Sequence, residues 1–198
     1  IHAQFQAYAN AYRFILVHAE FAPTLEVYVR PFPPEEEVTR LIEGVFERNG
    51  QVRSNASPEL SRIRSSLARA RVAADRLFYK ILKRYEAEGW LGDVRESVSN
   101  DRRVLALSAA HKNKARGAFH GSSAKNSLVY LEPSECLEVN AEVGLLMEDE
   151  RKEVRRILKA LTRSLRPFRE EIARVDERLT AWDGLAARSR FARAEGGI

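Results

Sequence analysis

Only one cysteine, Cys136, occurs in 198 residues, so no intramolecular disulfide can form and metal centres built on several thiolates are excluded. A reducing compartment is the simple reading. No stretch approaches the ~20 consecutive apolar residues a membrane helix needs, and no charged-then-apolar leader opens the chain. With Ile1 rather than Met in first place, the sequence reads as a soluble, cytoplasmic fragment of something longer. The four histidines, His2, His18, His111 and His120, are scattered, and none stands at i, i+4 with a second ligand. A metal site is therefore not expected. The run GSSAKNS at 121–127 lacks the second glycine of a phosphate loop and leads into a strand pattern instead of a helix, which excludes a nucleotide site of that kind. Its serines have no histidine at a partner position, so no nucleophile is indicated. By itself the chain reads as a non-enzyme that holds no cofactor.

What is present is an ordinary globular composition, 44% apolar and 31% charged, enough for a buried core and one or two domains. Residues 3–22 are apolar and aromatic on more than one face, which predicts a helix sandwiched in a core and ended by Pro23. The proline-rich stretch that follows, TLEVYVRPFPP, reads as a linker. Pro34 with Glu35, Glu36 and Glu37 starts a short helix, because proline suits the first turn and acids complement the positive end of the helix dipole; it runs to about Arg48, before Asn49-Gly50. Ser57-Pro58-Glu59-Leu60 is a strong helix start, and Gly89 the stop. Between them Leu60, Ile63, Leu67, Ala70, Ala74, Leu77 and Ile81 recur at spacings of three and four, the seam of a coiled coil or elongated bundle. Helix restarts at Glu132-Pro133-Ser134, and Val154, Leu161, Phe168, Val175 and Trp182 sit seven apart, with Ile157, Leu158, Leu165, Ile172 and Leu179 beside them. This second strip is expected to pack on the first as an antiparallel arm, closest at Ala70 and Ala74, with a kink at Pro167. The mixed charges at 148–156 read as a solvated face with i, i+4 ion pairs.

Between these helical stretches the pattern changes to short runs with turn residues: VRESVSND, RRVLALSAAHKNK, ARGAFHGSSAKN and SLVYLEP. From Asp101 to Leu131 the cations Arg102, Arg103, Lys112, Lys114, Arg116 and Lys125 face one acid, Asp101, so 6 − 1 = +5, which equals the net charge of the whole chain. The remainder is balanced. A basic patch on a protruding β-unit attracts phosphate backbones by counterion release, and its concentration at 111–114 and 123–126 suggests turn tips able to reach a duplex. The blander reading of these charges is a solubilising surface, and of His120 a polar side chain filling a hydrogen bond in a small sheet.

The block Gly117-x-x-His120-x-x-Ser123-Ala124, with Glu132-Pro133 eight residues beyond Ala124, resembles the clamp segment of the MutS family, in particular its MutS-two subfamily. Gly50-Gln51-Val52-Arg53 ahead of Ala56-Ser57-Pro58-Glu59-Leu60, and Arg103-Val104-Leu105 after a turn at Asn100-Asp101, fall in the same order. The resemblance covers roughly residues 34 to 182. It implies a mainly α fold: a helical core and first lever helix over 1–92, a small antiparallel β clamp over 93–133 at the tip of two long antiparallel lever helices, and the returning lever with a core helix over 134–198. It further implies a downstream ABC-type ATPase using ATP and Mg in the full-length protein, and homodimerisation. Double-stranded or branched DNA is the implied partner, gripped without sequence preference in a nucleoid-associated role in repair or recombination control. Arg102, Arg103, Lys112, Lys114, Arg116 and Lys125 are the candidate DNA contacts, and Gly117, His120, Ser123, Glu132 and Pro133 the structural clamp residues. A second reading is a coiled-coil interaction arm whose basic tip touches RNA or the ribosome.

Overall fold

The computed structural model describes residues 1–21, 23–99 and 102–197. It is mainly helical, with six helices and one four-stranded antiparallel sheet among the described residues. The chain divides into two compact units, one of Ile1–Ala56 with the chain from Arg155 onward and the other of Ser57–Val154.

The second unit carries the sheet. Helix α1 (His2–Val17), α2 (Pro23–Val29) and α3 (Glu36–Val45) precede it, and α4 (Pro58–Ala87) opens it. The start of α4 follows from its first residues: Ser57 accepts a hydrogen bond from Leu60 N at 3.0 Å, and Pro58 occupies the first turn, where its missing N–H costs nothing. Gly89, at φ 70°, lets the chain turn out of the helix. Strands β1 (Leu91–Ser99), β2 (Arg102–Ser108), β3 (Gly117–Ser122) and β4 (Leu128–Pro133) follow, and α5 (Ser134–Leu165) starts directly from β4. The sheet is therefore inserted at the tip of α4 and α5. These run antiparallel, laced by Ser57 to Glu153 at 2.6 Å, Arg64 to Glu150 at 2.7 Å and Arg84 to Glu135 at 2.7 Å. Glu153 is buried, so the 148–156 run is only partly the solvated face its charges suggest.

The apolar seam of α4 changes phase along its length. Leu60, Ile63, Leu67 and Ala70 are buried as the heptad spacing predicts, but toward the sheet the buried set becomes Phe78, Ile81 and Tyr85, with Leu77 only partly covered. Ala74 does not mark a close approach. It borders a groove of about 460 Å³ with Phe78, Val143 and Met147. The core beneath the sheet joins Phe78, Ile81 and Tyr85 to Leu105, Leu107, Leu131 and Cys136, each large apolar side chain contributing about 2 kcal/mol on burial. Burial pushes the Cys136 thiol up to about 11, which leaves it protonated and unreactive at neutral pH.

Strand order is β1-β2-β4-β3. The link from β2 to β3 is thus a crossing and not a hairpin, and residues 109–114, expected to be a hairpin tip, form a 3₁₀ helix. The β3–β4 connection is a true hairpin, closed by Ser123 N to Leu128 O at 3.0 Å, with Asn126 at φ 53°. The turn expected at Asn100-Asp101 lies outside the described residues.

In the first unit, Phe5, Tyr8, Val38, Ile42 and Val175 form a buried cluster with Phe46, Leu165, Phe168, Ile172, Leu179 and Trp182 packed against it. The strip from Phe168 to Trp182 therefore covers α1 and α3 and is not the seam that pairs with α4. The helix ends at Leu165, and a 3₁₀ turn at Arg166–Phe168, containing Pro167, leads into α6 (Arg169–Ala194). The proline-rich linker reading is also corrected over Pro23–Val29: proline at the first turn starts a helix as readily as it ends one. Helix α1 buries only Phe5 and Tyr8, while Phe14 and Val17 are exposed, so it is not sandwiched on all sides.

Candidate nucleic-acid interface

Side chains alternate along β2, so Arg102, Val104 and Ala106 share one side and Arg103, Leu105 and Leu107 the other. This alternation sends the two adjacent arginines to different tasks. Arg103 lies over the rings of Phe78 and Tyr79 at 5.0 and 4.4 Å. It donates to Glu96 Oε2 at 2.6 Å, to Tyr79 Oη at 2.9 Å and to Asp75 Oδ1 at 3.2 Å. Burial opposes its charge, but the hydrogen bonds to Tyr79, Glu96 and Asp75 more than offset this and raise its pKa further. Arg103 pins the sheet to α4.

Arg102 reaches the fully buried carboxylate of Glu132, 3.1 Å from Oε2. His120 Nε2 lies 2.7 Å from the same oxygen, and Asn140 Nδ2 donates to Oε1 at 2.8 Å. One carboxylate thus ties together β2, β3, β4 and α5. Burial pushes Glu132 toward the neutral form, yet hydrogen bonds from Asn140, His120 and Arg102 outweigh that cost and hold the carboxyl below its ordinary range. Such a knot is stable only while every partner is present.

Gly117 is required beside it. A Cβ there would lie 2.0 Å from the backbone oxygen of Glu132, whose position is fixed by the pairing of Gly117 with Pro133. Pro133 is buried and ends β4, and Ser134 N bonds to Arg116 O at 3.0 Å, which joins the start of α5 to the start of β3. Ser123 Oγ accepts from Leu128 N at 3.2 Å and closes the β3–β4 turn. Gly117, His120, Ser123, Glu132 and Pro133 thus lie on β3, on β4 or in the turn between them.

The other four cations differ. Lys112, Lys114, Arg116 and Lys125 are exposed and make no ion pair among the described residues. Lys112 lies 5.2 Å above the ring of Phe119. They are not gathered at one tip: Lys112 and Lys114 lie on the 3₁₀ crossing, Arg116 precedes β3 and Lys125 is in the β3–β4 turn. Asp75, Tyr79, Glu96 and Phe119 were not singled out from the sequence, because each acquires its role through a partner distant along the chain or on another strand.

These features define a mainly helical protein that carries a small, cation-bearing antiparallel sheet on two antiparallel helices. No family model matches the chain. Among curated proteins it is similar to the Endonuclease MutS2 of Gemmatimonas aurantiaca, 32% identical over 76% of this chain and 18% of that protein. It is likewise similar to the Endonuclease MutS2 of Carboxydothermus hydrogenoformans, 32% identical over 86% of this chain and 22% of the relative, and to that of Thermotoga maritima, 34% identical over 80% and 20%. The chain belongs to the MutS2-like family and spans about a fifth of the length of the curated relatives it matches. Among the described residues, no helix is long and apolar enough to cross a membrane, and no cluster of His, Cys, Asp or Glu has metal-site geometry.

Proposed function

We propose that this chain is the lever-and-clamp module of a MutS-like DNA repair or recombination-control ATPase, and that its sheet grips duplex or branched DNA through phosphates without reading sequence. The observation that carries the reading is the division of labour among the six clamp cations. Arg102 and Arg103 hold the sheet together, whereas Lys112, Lys114, Arg116 and Lys125 stay exposed and without a carboxylate partner among the described residues. Cations with no carboxylate partner can neutralise phosphates directly, and the counterions released from the DNA drive the binding. Force on the sheet passes into α4 through Arg103 and into α5 through Glu132 and Asn140. In this reading an ATPase that uses ATP and Mg lies elsewhere in the full-length protein, which acts as a homodimer in the cytoplasm on nucleoid DNA, and clamp loading biases the lever helices.

The test is binding of the chain to duplexes of unrelated sequence, to a branched junction and to an RNA hairpin across 50 to 200 mM salt. Four phosphate contacts imply a slope of log affinity against log salt near −3.6, from about 0.9 per contact, so affinity should fall roughly two decades over that range for every DNA. Absence of DNA binding at the lowest salt would refute the reading. An RNA hairpin bound far more tightly than any DNA would favour a ribosome- or RNA-contacting arm instead.

A further inference from the structure

We propose that β3 carries a track for a single strand of DNA, on which one unpaired base stacks on Phe119. This rests on the clamp being a DNA-binding surface and adds the form of DNA that fits its edge. Phe119 pairs with Leu131, which in turn pairs with Leu105, so the three form one row across the sheet. Leu105 and Leu131 are fully buried, but Phe119, on the edge strand, is 42% exposed. The row ends in an open aromatic face where core packing would have closed it.

The surroundings of the ring suit a nucleotide better than an apolar partner. The Lys112 ammonium lies 5.2 Å from the ring centroid, a cation–π contact. Arg116 stands just before β3, and Ser122 and the Lys125 turn stand at its far end. At ~3.3 Å per residue the strand from 116 to 122 is about 20 Å long, the reach of a few nucleotides. Cations along an edge with an aromatic ring between them form the pattern that binds single strands, the backbone following charge while bases stack without sequence preference. When a base takes the ring face, Lys112 transfers from the ring to the phosphate of that nucleotide. A continuous duplex keeps its base faces stacked on one another and cannot use Phe119.

The experiment compares binding of the chain to a short thymidine oligonucleotide and to a hairpin duplex of equal phosphate count, by fluorescence anisotropy at low salt. Phe119→Leu should weaken single-strand binding about tenfold, within the range that removing a base stack causes, and leave duplex binding within twofold; Phe119→Trp should retain both. Ultraviolet irradiation of the unaltered chain with the oligonucleotide should join thymine to Phe119, a readout that does not depend on any variant folding. Equal weakening for both DNAs in Phe119→Leu, no weakening for the single strand, or crosslinks confined to other residues would overturn the stacking role while leaving duplex gripping intact. If the unaltered chain bound neither DNA, the clamp reading itself would fall first.

Discussion

Replacing Glu132 with alanine should be among the most damaging single changes in the sheet. The carboxylate is fully buried and accepts from Arg102, His120 and Asn140, so its removal leaves three donors from three elements without a common acceptor. Breaking a buried ionic knot on one side costs about 3 to 5 kcal/mol. Arg102 is about two-fifths exposed and regains water, so the lower end applies, about 3 kcal/mol. Glu132→Gln keeps the shape but turns an amide N–H₂ toward donors, which costs about 2 kcal/mol. Urea unfolding followed by far-ultraviolet circular dichroism measures both. Acid titration supplies a second readout with a fixed sign. The folded-state pKa of Glu132 lies below its ordinary value near 4.5, so the stability it contributes is fully present above that value and is lost as pH falls through the lower folded pKa. The parent chain should therefore lose stability below about pH 4.5 more steeply than Glu132→Gln. An alanine variant within 0.5 kcal/mol of the parent, or identical acid limbs for parent and glutamine variant, would show that the knot does not hold the sheet.

Two further substitutions test the scaffold. Gly117→Ala should unfold the β3–β4 pairing while leaving helix content largely intact, because the added carbon meets the Glu132 backbone oxygen, which no side-chain rotation relieves; proteolysis within residues 102–133 would report it. Arg103→Ala should cost about 2 kcal/mol by removing hydrogen bonds to Glu96, Asp75 and Tyr79, yet leave the salt dependence of DNA binding unchanged, since its charge is already paired against α4 and β1.

Local signals in the sequence were sufficient where the structure depends on local chemistry. Ser57, Pro58 and Glu59 marked the start of α4 and Gly89 its end, and the shift from helical spacing to short alternating runs marked the sheet to within a few residues. Pairing between distant segments was less legible. Seven-residue spacing from Val154 to Trp182 says that a helix has an apolar side and not what covers it, and from Phe168 on that side meets α1 and α3. The basic run at 111–114 looked like a hairpin tip because β2 and β3 are consecutive, yet each pairs with β4. Arg102 and Arg103 each make ion pairs that local sequence patterning does not announce: Glu132 lies 30 residues from Arg102, and Glu96 and Asp75 lie 7 and 28 residues from Arg103. The resemblance to the clamp motif drew attention to His120 and Glu132, but their direct contact, and the part of Asn140, needed the folded chain.

The measurement that bears most directly on the proposed role is the salt slope of duplex binding for the variant with Lys112, Lys114, Arg116 and Lys125 all changed to alanine. If these four side chains touch phosphates, affinity should fall for every duplex alike, and the slope should flatten by roughly 0.9 for each phosphate no longer neutralised, or about 3.6 in all. His120→Ala, which removes a partner of Glu132 and no exposed charge, should destabilise the sheet while leaving that slope as it is. Unchanged affinity and slope in the quadruple variant would contradict the clamp reading and leave these lysines and Arg116 as solvated surface.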